Sequence, residues 1–185
     1  MKTPAFLVAI LFAAITCGAQ TDWQRKVQNE LPLLGHRNWI VVVDSAYPLQ
    51  NATGIETVNT GAEQLAVVDF VLNAVRESKH VRPIVHLDQE LQFVEDQDAP
   101  GIEQYRKDLK WRLAGIDTDS ALHDQLIRRL KETSDSFHVL ILKTTMTLPY
   151  TSVFFQLDCR YWSAAQEKKL RQVMNRTQPG AKTAH

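Results

Sequence analysis

The stretch Trp39-Ile-Val-Val-Val43 limits the possible folds of this chain more than any other. Side chains alternate faces along a strand, so a continuous apolar and mostly β-branched run must be buried on both faces. Strands of that kind belong to sheets covered by helices on both sides, and such sheets are largely parallel. Asp44 ends the run abruptly, which places a carboxylate at the carboxyl end of a buried strand.

The covering elements follow from periodicity. Trp23, Val27, Leu31 and Leu34 recur at helical spacing, and Pro32 weakens the end of that helix. The segment 45–54 contains Pro48, Asn51 and Gly54 and reads as a loop. A strong helix is predicted over 61–77, with Leu65, Val68, Leu72 and Val75 on one face. A short strand follows at 83–87, then a helix over 102–114 that puts Tyr105, Leu109 and Leu113 in register. The next helix spans 122–130, with Asp117-Thr118-Asp119-Ser120 as cap candidates. Apolar strands are expected at 139–142 and 153–157, and a basic amphipathic helix at 164–174. No internal repeat and no second domain is visible. The predicted class is α/β: a single domain with a mainly parallel sheet and helices on both faces.

The ends of the chain read differently. Lys2, the apolar run Ala5–Ile15 and the small residues Thr16-Cys17-Gly18-Ala19 have the layout of a secretory signal peptide. That run falls short of the ~20 apolar residues of a membrane span. The expected organisation is a signal peptide at 1–19 cut after Ala19, a domain at 20–176 and a disordered tail at 177–185. A lipid anchor on Cys17 is the lesser alternative to a soluble periplasmic or secreted protein. Cleavage leaves Cys159 alone, so stability must come from the core and from self-association.

Composition and motifs remove several classes. The chain has 185 residues, and its 21 basic and 21 acidic side chains balance, whereas a sequence-independent nucleic-acid binder needs a basic excess. Gly54 and Gly61 are isolated, so no glycine-rich phosphate cradle follows a strand. No serine sits in a Gly-x-Ser-x-Gly elbow, and Cys159 has no histidine nearby in sequence. His86-Leu87-Asp88, with His80 before it, offers too few ligands for a closed metal site. No metal or cofactor is expected. Trp39 and Trp162 read as core or subunit-contact residues, and Lys168, Lys169 and Arg171 as a solvated helix face.

What remains is histidine, aspartate and tyrosine. Gly35-His36 precedes the buried strand, and Asp44-Ser45-Ala46-Tyr47-Pro48 follows it. This spacing resembles the ribose pyranase/fucose mutarotase (RbsD/FucU-like) family. The segment 55–61 is similar to that family's second strand and the start of its helix. His123-Asp124-Gln125-Leu126 resembles the family's His-Glu-Gln-Phe segment. Pro149-Tyr150-Thr151-Ser152, followed by an apolar run, resembles its Pro-Tyr-Ala-Asn segment. The likeness runs from about Leu31 to Cys159.

The resemblance implies an RbsD-like fold and an isomerase that interconverts ring forms or anomers of a free ribose- or fucose-like monosaccharide. His36 would carry the proton, while Asp44, His123, Tyr150 and Ser152 would hold the sugar. Ser152 stands where the family has asparagine, the His123–Tyr150 interval is longer, and His138 competes with His123 for its role. Family members form homo-oligomers in which the tyrosine segment completes a neighbour's site. A side chain with a pKa of ~6.5 exchanges protons in both directions near neutrality, which suits histidine to such chemistry. The alternative is a non-catalytic exported sugar-binding or interaction protein on the same fold.

Overall fold

A computed structural model of the chain describes residues 21–177. The proposed signal peptide, Cys17 and the tail beyond Thr177 lie outside them. The elements run α1 (Asp22–Glu30), β1 (Trp39–Val43), β2 (Ile55–Asn59), α2 (Gln64–Glu77), β3 (Val81–Asp88), α3 (Ile102–Arg112), β4 (Thr118–Ala121), α4 (His123–Ser134), β5 (Val139–Lys143), β6 (Val153–Cys159) and α5 (Ala164–Thr177). Pro32 has the expected effect: α1 stops at Glu30, and Leu31–Leu33 tighten into a 3-10 turn.

The strands form one sheet in the order β2-β5-β1-β6-β3-β4. β1, β2 and β5 are parallel to one another, as are β3 and β4, while β6 runs antiparallel to both β1 and β3. The expected mainly parallel sheet is therefore present, with one reversed strand near its centre. The run at 39–43 lies between β5 and β6 and is buried at every residue.

Alternation divides that sheet into two cores. Ile40, Val42, Leu140, Leu142, Val153 and Phe155 face α1, α2 and α3, and pack with Val27, Val68, Val71 and Leu109. Trp39, Val41, Val43, Val139, Ile141 and Phe154 face the other way, onto Leu126 and Leu130 of α4. Helices thus cover both faces. Each fully buried valine or leucine here contributes about 1.5–3 kcal/mol from removal of apolar surface. Gly54 lets α4 sit close: a Cβ there would stand 2.1 Å from the Ser134 carbonyl oxygen.

Three sequence expectations are corrected. Residues 117–120 are not helix caps: Thr118–Ala121 pair with β3 as an edge strand, and Leu122 is the N-cap of α4. The apolar and aromatic makeup of 148–155 suggests an exposed patch, but Val153, Phe154 and Phe155 are wholly buried in the sheet, and only Pro149 and Tyr150 are exposed. Trp162 is not core, being 41% exposed, whereas Trp39 is.

Candidate active site

In open α/β sheets ligands gather outside the carboxyl ends of the strands. Here β6 contributes its amino end to that same edge, because it runs backwards. Val153 lies opposite Val42 on one side and Leu87 on the other. Ser152 is therefore set between the ends of β1 and β3, beside Asp88. The connection 144–152 crosses the end of β1, tied down by Thr144 N–H to the Val43 carbonyl (2.9 Å) and Ser45 N–H to the Met146 carbonyl (2.8 Å).

Asp88 is the last residue of β3 and wholly buried. Its Oδ1 accepts from Nδ1 of His123, at the first turn of α4, over 3.0 Å. Its Oδ2 is buried without a hydrogen-bond partner. Burial pushes the Asp88 carboxyl above the ordinary carboxylate range, the His123 hydrogen bond opposes this, and nearby Glu90 and Asp44 push it up further. His123 is held above the usual histidine value of 6.5, chiefly by that same hydrogen bond, against partial desolvation. The hydrogen bond couples the two groups, each lowering the other's preference for the neutral form. Glu90 accepts from the His123 backbone N–H through both carboxylate oxygens at 3.1 Å, placing negative charge at the amino end of α4.

Tyr150 completes the cluster. Its ring meets the His123 ring edge-on, with centroids 5.8 Å apart. Tyr150 has a left-handed backbone, φ 56°, a conformation that a bulky residue keeps only where its surroundings enforce it. The enforcing groups are visible. The Thr151 carbonyl accepts from the Tyr105 hydroxyl (2.7 Å) and from the Gln64 amide, both buried. Gln64 Oε1 in turn lies 2.9 Å from the Thr144 hydroxyl. Next along the chain, Ser152 is fully buried and its hydroxyl has no partner. Burial also raises the phenols of Tyr105 and Tyr47, so both stay neutral near neutral pH.

Asp44 stands at the same edge, partly exposed, its Oδ1 taking the Ala46 N–H at 2.8 Å. It is near enough to raise the Asp88 carboxyl by charge repulsion. Four sequence-predicted residues, Asp44, His123, Tyr150 and Ser152, therefore share one edge. His36 does not. It is exposed in the turn before β1, and the five residues of β1 put ~16 Å between that turn and Asp44. Arg37 beside it is the other non-glycine residue with a left-handed backbone among those described, φ 76°.

Three further histidines have partners elsewhere in the fold. His138 starts β5 at the far edge, with Nε2 3.8 Å from Glu30. His80 sits between the Ser78 hydroxyl and the carbonyls of Leu31 and Leu34. His86 stacks on Trp39 and bonds Asp119 and Gln156. His80, His86 and Asp88 thus serve separate partners. Among the described residues, Glu30, Glu56 and His138 approach one another closely enough for a metal ion. Lys26 already lies 2.6 Å from both carboxylates, so an ammonium fills that position.

Sequence reasoning missed Asp88 as a partner of His123, and Gln64 and Tyr105 as anchors of the tyrosine segment. The position of Asp88 at a strand end signals its place at this edge, but nothing in the sequence links it to His123.

No family model matches the sequence, and no curated protein matches it. Solved structures do. Bacillus subtilis RbsD complexed with D-ribose superposes with a TM-score of 0.51 at 13% identity, over 75% of this chain and 92% of that one. FucU from Bifidobacterium longum gives 0.50 at 12%, over 72% and 94%. The chain has an RbsD/FucU-like fold.

Proposed function

We propose that this protein interconverts ring forms or anomers of a free monosaccharide by acid/base ring opening. The observation that carries this reading is the convergence of Asp44, Asp88, His123, Tyr150 and Ser152 on one sheet edge of an RbsD/FucU-like fold. A base takes the proton of the anomeric hydroxyl while an acid protonates the ring oxygen. The C1–O bond of the ring breaks to give the open-chain carbonyl, and closure on either face, or from another hydroxyl, returns both protons. Carboxylates accept sugar hydroxyls, phenol and serine hydroxyls both donate and accept, and the Tyr150 ring offers an apolar face. The unpartnered Ser152 hydroxyl and Asp88 Oδ2 are the groups with bonding capacity still to be used.

His36 carries the proton in this reading, and it comes from a neighbouring copy, since β1 separates it from the site of its own chain. The protein works as a homo-oligomer with sites at the subunit contacts. Its address is the periplasm or the exterior, reached by removal of residues 1–19; a mature chain starting at Gln20 in its native host supports this, and a retained Met1 overturns it.

Saturation-transfer proton NMR on ribose, fucose and galactose, with and without the protein, is the direct test. Accelerated exchange between anomers or ring forms is expected for at least one sugar. Folded His36→Ala and Tyr150→Ala variants should each be ~10²-fold slower, and should regain part of the rate when co-assembled. A second reading, sugar binding without turnover, is favoured by the short hydroxyl of Ser152. Saturable binding with no change in exchange rate would select it.

A further inference from the structure

The space beneath α3 is only partly filled, and the reason lies in the edge strand. Thr118 and Ser120 of β4 stand opposite Val85 and Leu87 of β3. Directly opposed residues share a face, so these two hydroxyl side chains lie on the side of the sheet that α3 covers, where Val85 and Leu87 join its core. Both are exposed, and being short and polar they do not complete that core. What remains is an open cleft of about 620 Å³ between α3 and the β3–β4 edge, with Leu87, Leu91, Leu109, Leu113 and Ile116 in its lining. The four leucines are at most 9% exposed, so the floor of the cleft is hydrocarbon. No aromatic ring lines it.

Three cations line the same cleft, Arg106, Lys107 and Lys110, against one acid, Glu103. Arg106, Lys110 and Leu113 recur at i, i+4 and i+7, with Leu109 beside them, so charge and hydrocarbon share one face of α3. Arg106 is held in place by its own Nη1, which donates to the carbonyls of Leu91 (2.9 Å) and Val94 (2.7 Å). Its Nε and Nη2 find no acceptor among the described residues. Glu103, Lys107 and Lys110 make no ion pair among the described residues either. The cleft therefore carries a positive excess whose donors are uncommitted.

We propose that this cleft binds an amphipathic carboxylate: an unbranched aliphatic chain lies on the leucines, and its carboxylate meets Arg106 and Lys110. A concave, mostly aliphatic lining with a few convergent polar groups is the form that small-molecule sites take. With Nη1 tied to the backbone, Arg106 keeps Nε and Nη2 as two parallel donors, the pair that a carboxylate accepts bidentately. Burial of the chain removes apolar surface of both partners from water. The lining disfavours a sugar, which asks for a ring face and close-set hydroxyl partners of the kind gathered around Tyr150. Leu87 and Asp88 are neighbours along β3 but alternate in face, so the cleft and the buried carboxylate lie on opposite sides of the sheet. The proposal does not rest on the sugar chemistry.

Decanoate, kept below its micelle-forming concentration, tests it on the full chain by calorimetry and methyl NMR. Saturable binding of one molecule per chain is expected, with shifts at the methyl groups of Leu87, Leu109, Leu113 and Ile116. Decanol, which keeps the chain and loses the charge, should bind at least about 10-fold more weakly, and K107Q/K110Q should weaken decanoate by about 10-fold. Both lysines are exposed, so this variant keeps its fold, which circular dichroism checks. Ala114 lines the cleft from an exposed turn, and Ala114→Trp should fill the space and abolish saturation. No saturation by decanoate, or shifts confined to other parts of the sheet, would overturn the site. Equal affinity for decanol and decanoate, or decanoate binding unchanged in K107Q/K110Q, would overturn the carboxylate assignment. Adsorption of the chain to phosphatidylglycerol vesicles without binding of free decanoate would also overturn the proposal, because it assigns these cations to an anionic membrane surface.

Discussion

Gln64 makes a sharp test of how the tyrosine segment is held. Its amide donates to the Tyr105 hydroxyl at 3.1 Å and to the Thr151 carbonyl, and accepts from the Thr144 hydroxyl at 2.9 Å. Gln64→Met removes all three bonds with little change of shape. None of the partners is then orphaned. The single Thr144 O–H proton, shared with Gln64 in the wild type, goes wholly to the Val43 carbonyl at 2.9 Å, and Tyr105 keeps the Thr151 carbonyl at 2.7 Å. The cost is therefore about 1 kcal/mol per lost bond rather than a full desolvation penalty. The two amide N–H bonds are lost outright, and with about 1 kcal/mol regained by burying a more apolar side chain the loss is about 1 kcal/mol. Urea unfolding should show this as a midpoint lower by about 0.5 M with the slope unchanged. The sugar assay separates positioning from stability. With the Thr151 carbonyl held by one bond instead of two, the left-handed Tyr150 relaxes, so kcat falls by ~10-fold or more at temperatures where the variant is fully folded. A destabilised variant with wild-type kcat and KM would refute the claim that this network positions Tyr150, and a midpoint unchanged from wild type would refute the energy argument.

Further expectations follow from the same geometry. The Asp88 hydrogen bond holds protonated His123 above its ordinary 6.5, so the His123 contribution is present below about 6.5 as long as Asp88 stays ionised, and is lost as pH rises through the raised value; because burial raises the Asp88 carboxyl, it is lost again in acid when that carboxylate protonates. In Asp88→Asn the His123 ring should titrate at lower pH by NMR, and an identical titration would remove the pairing. Gly54→Ala forces a Cβ to 2.1 Å from the Ser134 oxygen and should cost at least ~2 kcal/mol in urea unfolding; a neutral result would show that α4 shifts freely. Asp44→Asn should raise the half-saturating sugar concentration more than it lowers the maximal rate, and a loss confined to the maximal rate would make Asp44 part of the proton machinery.

How far the sequence discloses this fold depends on the element. β1 is legible because two-sided burial demands unbroken apolar residues, and Asp44 marks its end. α2 and α4 are legible by period. β4 is not: Thr118-Asp-Ser-Ala buries only Ala121, since an edge strand paired with β3 alone needs no apolar face. Its polar residues imitate a helix cap. The direction of β6 has a signal in the sequence: the 144–152 connection is shorter than the dozen or more residues a parallel crossover requires. The Asp88–His123 pair had none, because the residues stand 35 positions apart and meet only once β3 and β4 are paired. The residues of the family spacing, Asp44, His123, Tyr150 and Ser152, lie at one edge, and the order His36, β1, Asp44 along the chain already puts His36 at the other.

The reversed strand explains why the candidate site has these members. In an all-parallel sheet only strand ends supply residues to the carboxyl edge. With β6 running backwards, its entry segment arrives there too, wedging Tyr150 and Ser152 between Asp44 and Asp88. The same reversal sends the exit of β6 to the far edge, so α5 leaves the sheet on the side that carries His36 and Arg37. One edge thus holds the proposed proton carrier, and the other holds Asp44, the buried Asp88 and the Tyr150 phenol. Stacked head-to-tail, two copies bring His36 toward Tyr150. The shared-site reading demands that polarity. A symmetric dimer made through like edges would join His36 to His36, leave every cluster of Asp44, His123 and Tyr150 without its proton carrier, and defeat that reading.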